Sequence, residues 1–182
     1  TIGSSTVYAN YVSGSGSSAL VFEYTVQAND VDANGIAVGA LSANGGSLSD
    51  AVGNSLVTTL NSVGTTTGVL VDAVAPTLSS STPADNATAI AVGNNIVLTF
   101  SENMQLGTGN IVISNGTDTR TIDVTSHGGQ ISITNNVVTI NPTADLNLQT
   151  AAYYVQIGSS ALTDTAGNAY AGIADTTTLN FA

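Results

Sequence analysis

The sequence predicts an all-β fold of two successive β-sandwiches, the first of them lacking its N-terminal strands. Three observations carry that expectation: the composition, period-two alternation in many short runs, and one motif that occurs twice. Of 182 residues, 42% are apolar, only 7% are charged and 19 are glycine. The polar remainder is mostly Thr, Ser and Asn. Thr, Val and Ile suit a pleated, half-buried surface, while Gly, Asn and Asp supply the positive-φ positions of tight turns. The length suits two sandwiches of about 100 residues each, the first short of that size.

Taken in chain order, a first short run spans Thr6 to Val12. In Ala19 to Gln27, Leu20, Phe22, Tyr24 and Val26 share one face while Val21, Glu23 and Thr25 share the other, the pattern of a strand with one solvated side. Ile96, Leu98 and Phe100 repeat it within Asn95 to Phe100. Further runs cover Asn110 to Ser114, Thr121 to Thr125, Gln130 to Ile133, Val137 to Ile140, Tyr153 to Ile157 and Thr178 to Phe181. Gly/Asn/Asp/Ser clusters separate most of them, and no segment sustains a helical period.

Val71-Asp72-Ala73-Val74-Ala75-Pro76-Thr77 marks the domain boundary. Proline fixes its own φ, holds its predecessor extended and commonly opens an edge strand. Residues 1–75 are therefore expected to form a partial sandwich and residues 76–182 a complete one. The repeated motif agrees with that division. Leu48-Ser49-Asp50-Ala51-Val52-Gly53-Asn54 in the first part matches Leu162-Thr163-Asp164-Thr165-Ala166-Gly167-Asn168 in the second, L-[ST]-D-x-x-G-N in both. Tyr24-Thr25-Val26-Gln27 corresponds more loosely, with different spacing, to Tyr153-Tyr154-Val155-Gln156-Ile157.

With these residues in order, the second part resembles the S-layer-type bacterial Ig-like domain, through Ala75-Pro76-Thr77, Leu98-Thr99-Phe100-Ser101-Glu102, the Tyr154 strand and Leu162 to Asn168. The first is similar to Ig-like repeats of giant bacterial adhesins, through Tyr11 to Gly16, Phe22 to Val26, Asp30 to Ile36 and Leu48-Ser49-Asp50. The resemblance implies tandem Ig-like β-sandwiches in an extracellular, cell-surface protein. It also implies a proline-led first strand and a T-F-S-E-like second strand, as at Thr99 to Glu102, which the first part lacks. About 25 residues are expected to be missing there, judged by the usual sandwich size. Such a unit exposes core and unpaired edges. Either a longer chain completes it, or strands donated by a neighbouring copy do.

Charge excludes several function classes. Twelve carboxylates face the single cation Arg120, with no lysine, for a formal net charge of −11. A phosphate backbone needs clustered Lys/Arg, so nucleic acid is not an expected partner, and an anionic membrane surface is disfavoured likewise. No apolar stretch approaches the twenty residues of a membrane span, so direct membrane insertion is not expected, and any export signal is expected outside this segment. Cysteine is absent, which removes disulfides and thiolate zinc sites from consideration. An acidic, lysine-free surface suits hard divalent cations such as Ca²⁺, with solubility or salt tolerance the alternative use of the same charge.

Asp30-Val31-Asp32-Ala33-Asn34-Gly35-Ile36 reproduces the first half of a calcium loop. Side-chain oxygens of Asp30, Asp32 and Asn34 stand at alternate positions, Gly35 permits the sharp turn and the Ile36 carbonyl follows. Leu41 occupies the place of the bidentate glutamate, so further ligands must come from elsewhere, for instance Asp50 or Asp72. Asx turns that cap backbone N–H groups are the alternative. The D-x-x-G-N turns invite the same two readings, structural turn or calcium ligation by Asp164 and Asn168, with Glu102 as an added ligand. Catalysis finds no support: His127 sits in a Ser126-His127-Gly128-Gly129 loop with no nucleophile motif nearby.

The expected function is a structural module of an adhesin, S-layer, sheath or filament, stabilised by calcium and contacting neighbouring copies of itself. The alternative is a glycan- or protein-binding module of a secreted protein that holds a cell-surface ligand in sandwich-end loops such as Gly107 to Asn110 or Ser126 to Gln130.

Overall fold

A computed structural model describes residues 1–147 and 151–182. Among them every regular element is a strand, and every strand pair is antiparallel. The chain divides into two units, Thr1–Val74 and Ala75–Ala182.

The second unit is an Ig-like sandwich. Its strands are β5 (Leu78–Thr82), β6 (Ile96–Phe100), β7 (Met104–Leu106), β8 (Asn110–Ser114), β9 (Thr119–Asp123), β10 (Ile131–Thr134), β11 (Val137–Ile140), β12 (Tyr153–Ile157), β13 (Leu162–Asp164) and β14 (Asn180–Phe181). They form one sheet of order β10-β11-β6-β5, a second of order β14-β12-β8-β9, and a ribbon of β13 and β7. Alternation decides which side chains meet between the sheets. Ile96, Leu98 and Phe100 of β6 are at most 2% exposed, while Val97 and Thr99 between them are half-buried. Ile111 and Ile113 of β8 and Val155 and Ile157 of β12 face the same core, with Val138, Ile140 and Leu162. Phe100 meets Tyr170 edge-to-face at 5.1 Å, and Tyr153 stacks on Phe181 at 6.3 Å, which adds directional aromatic contact to the apolar burial.

Elsewhere in this unit the structure departs from the sequence-based expectation. The strand expected at Thr121 to Thr125 is β9 at Thr119–Asp123. Its register is set by pairing with β8, Ile113 opposite Arg120 and Ile111 opposite Ile122. Asp123 instead ends the strand, its carboxylate accepting the Thr125 N–H at 2.8 Å as an Asx turn.

The first unit holds two separate ribbons, β1 (Asn10–Ser13) with β2 (Val21–Glu23) and β3 (Val31–Asp32) with β4 (Val71–Asp72). Tyr11 pairs with Phe22 across the first, their rings edge-to-face at 5.9 Å. The alternation read over Ala19 to Gln27 yields only three paired residues, and both faces of β1 and β2 are exposed. Ile2 is the one buried apolar side chain in this unit, and Asp32 the one buried polar one.

Candidate functional site

The two D-x-x-G-N segments fold into the same turn. Asp50 Oδ1 accepts the N–H groups of Val52 and Asn54 at 3.0 and 2.8 Å, and Asp50 Oδ2 accepts Asn54 Nδ2 at 2.8 Å. Asp164 Oδ1 accepts those of Gly167 and Asn168 at 2.6 and 2.8 Å, and Asp164 Oδ2 accepts Asn168 Nδ2 at 2.7 Å. In each, the Asp N–H also donates to the Asn carbonyl at 2.9 Å. The glycine before that Asn has φ of 93° at Gly53 and 99° at Gly167, the left-handed region that glycine enters without a Cβ clash. The Asn54 amide, together with the backbone donors, holds the Asp50 carboxyl below its ordinary value.

Only in the second copy is the aspartate buried. Asp164 is 1% exposed, Leu162 beside it is fully buried, and Gln105 Nε2 donates to the Asp164 carbonyl at 2.8 Å. A carboxylate oxygen of Glu102, at the start of the loop after β6, lies within 4.8 Å of one from Asp164. Two hard anionic ligands at that spacing fit a calcium ion better than a soft metal.

In the first unit, Asp30 and Asp32 both serve local donors. Asp30 Oδ2 accepts the Tyr24 hydroxyl at 2.8 Å and the Gln27 N–H at 2.7 Å, and this bond, with burial, raises the Tyr24 phenol above its ordinary pKa. Asp32 Oδ2 accepts the Gly3 N–H at 2.7 Å, and Asp32 Oδ1 that of Asn34 at 3.2 Å. Asn34 is exposed, and the Ile36 carbonyl accepts the Thr66 hydroxyl. Gly35 has φ of 100°, and a Cβ there would meet the Thr66 carbonyl oxygen at 2.4 Å, so both conformation and close approach require glycine. Asp72 pairs with Val31, and Asp32 with Val71. Strand alternation therefore points the Asp32 and Asp72 side chains to opposite faces of their ribbon, and the structure does not bring those two together.

His127 is half-buried, and its Nδ1 accepts the Ile131 N–H at 3.2 Å, which ties the loop to β10. One polar cluster had no counterpart in the sequence reading. Asp118, 6% exposed, accepts the Tyr153 hydroxyl at 2.5 Å and the Asn147 N–H at 3.1 Å and pairs with Arg120. The Tyr153 hydroxyl above all, then the Asn147 N–H and Arg120, hold the Asp118 carboxyl below its ordinary value. The available signal was Arg120 itself, the one Lys or Arg of the chain, two residues from a carboxylate. A shallow groove of about 540 Å³ is also lined by Asn103, Gln105 and Asn135 together with Met104, Ile131 and Ile133, residues of β7, β10 and their flanks.

The family model for the bacterial Ig-like domain matches residues 72–182. The chain belongs to the bacterial Ig-like domain family. Domains of that family are typical of bacterial surface and extracellular proteins and are generally non-enzymatic structural modules. Among the described residues no helix is long and apolar enough to cross a membrane. Neither the curated proteins nor the solved structures contain a match to this bacterial Ig-like chain.

Proposed function

We propose that this chain is a structural module of an extracellular bacterial surface protein, an adhesin, S-layer, sheath or filament subunit, built from tandem Ig-like units and stabilised by calcium. The single observation that supports it most is the closed, predominantly apolar sandwich core of a bacterial Ig-like domain, which leaves the strand edges and turns as its working surface. Glu102 and Asp164 are the proposed calcium ligands of the sandwich, with Asn168 beside them. Asp30, Asp32, Asn34 and the Ile36 carbonyl are those of the first unit, with Asp50 as a further carboxylate, while Asp72, on the opposite face of its ribbon from Asp32, is not part of that set. Calcium supplies charge neutralisation in a chain of net charge −11 and cross-links turns that hydrogen bonds already shape.

A metal that binds only the folded state raises its stability. Millimolar Ca²⁺ is expected to raise the melting temperature of the chelator-treated protein by several degrees, and Glu102→Gln to remove most of that rise. A melting temperature indifferent to calcium would discard calcium from the proposal. Electron microscopy of the native assembly tests the module itself, since isolated particles without lattice, fibre or surface attachment would contradict it. The groove beside β7 favours a second reading, a glycan-binding module, because amide and apolar side chains lining one groove suit a sugar. A glycan array without hits would remove it.

A further inference from the structure

Four strands stand at the outer ends of the two sandwich sheets, and three of them are guarded. Natural sheet edges discourage pairing with charges, proline or short strands. Strand β9 carries Arg120 and Asp123, β5 lies between Pro76 and Pro83, and β14 has two residues. Strand β10, Ile131-Ser132-Ile133-Thr134, has none of these devices, and β7, Met104-Gln105-Leu106, has neither charge nor proline. Both strands line the same groove, and none of its lining side chains is charged.

Pairing decides where the remaining main-chain groups of each strand point. In an antiparallel pair, alternate residues bond to the partner, and those between them direct N–H and C=O the other way. The two-residue turn Asn135-Asn136 makes Thr134 and Val137 a bonded pair, so Ile131 and Ile133 face away from β11. The Ile131 N–H accordingly leaves the sheet and donates to His127 Nδ1 at 3.2 Å. In the ribbon, Leu162 accepts the Tyr170 N–H and Asp164 donates to the Asn168 carbonyl, so it is Thr163 that bonds Gln105. Met104 and Leu106 therefore face away from β13, and the Met104 N–H donates to the Asn135 carbonyl at 2.9 Å. Ile133 and Leu106 are left offering an N–H and a C=O each, beside the apolar side chains of one groove. An extended polypeptide takes up such groups in order, while its alternate side chains meet an apolar lining.

Charge selects the kind of polypeptide. The chain carries a net charge of −11, and its one Lys or Arg, Arg120, is paired with Asp118. A second copy brings like charge, whereas a segment with Lys or Arg beside an uncharged stretch is attracted. We propose that an extended segment of another protein, uncharged where it meets the groove and basic at its flanks, adds as a strand to the free edge of β10. The inference goes beyond the structural module, whose reading survives its failure, and it gives the groove a polypeptide in place of a glycan.

Hydrogen exchange of the whole chain, with and without a synthetic peptide of alternating Val and Thr with lysine at both ends, tests it. At saturating peptide the Ile133 amide is expected to exchange at least about tenfold more slowly, while the Ser132 amide, already bonded to β11, keeps its rate. The same peptide N-methylated throughout cannot pair and is expected to leave Ile133 unprotected. Glutamate in place of the lysines is expected to weaken binding by at least about tenfold at low salt. A lysine peptide that leaves the Ile133 rate unchanged would overturn the proposal, as would equal protection by the N-methylated or glutamate peptide, or equal slowing of Ser132. Protection of Ile133 on concentrating the protein alone would assign the edge to a second copy instead. A neutral oligosaccharide that shifts the Asn103 and Asn135 side-chain amides, where the peptide does not, would return the groove to a glycan.

Discussion

The turn at Asp50 to Asn54 and the turn at Asp164 to Asn168 share the two hydrogen bonds from asparagine to aspartate carboxylate, yet one lies on an open surface and the other beside a closed core. Leu162 beside the second is fully buried, whereas Leu48 at the equivalent place in the first is only half-buried. Local chemistry thus builds the turn with or without a sandwich around it. Closure of a core is a separate property, which depends on enough strands meeting to cover one another's apolar faces.

Substitutions at apolar positions separate the two units most strongly. Leu98→Ala, at a fully buried site, is expected to cost about 2–5 kcal/mol in a denaturant titration, because the cavity adds to the lost transfer free energy. Leu56→Ala, at a site 46% exposed, is expected to change stability by no more than about 0.5 kcal/mol. The twin turns give a smaller contrast. Asp164→Ala removes a buried carboxylate that accepts the N–H groups of Gly167 and Asn168 and is expected to cost about 1–3 kcal/mol, while Asp50→Ala lets water replace the lost acceptor and shifts the melting curve far less. Equal effects of the two alanines would mean that burial adds nothing to the turn.

Acid gives the mildest contrast and acts mainly on the sandwich. Asp118 has a lowered pKa, chiefly through the Tyr153 hydroxyl, Asp123 through the Thr125 hydroxyl, and Asp175 through the Thr177 N–H. A carboxyl that titrates lower in the folded state stabilises it fully above the unfolded value of about 3.9 and loses that contribution as pH falls through the lower folded value. The melting temperature of the second unit is therefore expected to hold from neutral pH to about 4 and to drop below it. Asp118→Asn is expected to melt lower at neutral pH and to flatten the acid limb.

The sequence made some of this legible and hid the rest for physical reasons. In β6 the alternating Ile96, Leu98 and Phe100 matched the buried face residue for residue, because a second sheet, with β8 and β12 at its centre, is present to cover it. The equally clear alternation of Leu20, Phe22, Tyr24 and Val26 named a face that no strand in the first unit covers. Periodicity says which side chains share a side, and nothing about what lies opposite. Strands β7 and β13, three residues each, fall below the length at which alternation shows. At the candidate site, the sharing of a turn by Asp164 and Asn168 could be read from the repeat. The approach of Glu102 to Asp164 came only with the sandwich, since 62 residues separate them. The Asp118–Tyr153 bond was likewise hidden by a separation of 35 residues.

Hydrogen exchange of the whole chain, at a concentration low enough to keep it monomeric, most directly tests whether the second unit closes its own core and the first does not. Amides of β6, β8 and β12 are expected to exchange slowly and together, at the rate set by global unfolding, while those between Ala33 and Leu70 exchange orders of magnitude faster. Equally slow exchange in both units would show that the first also holds a closed core, and would contradict this account.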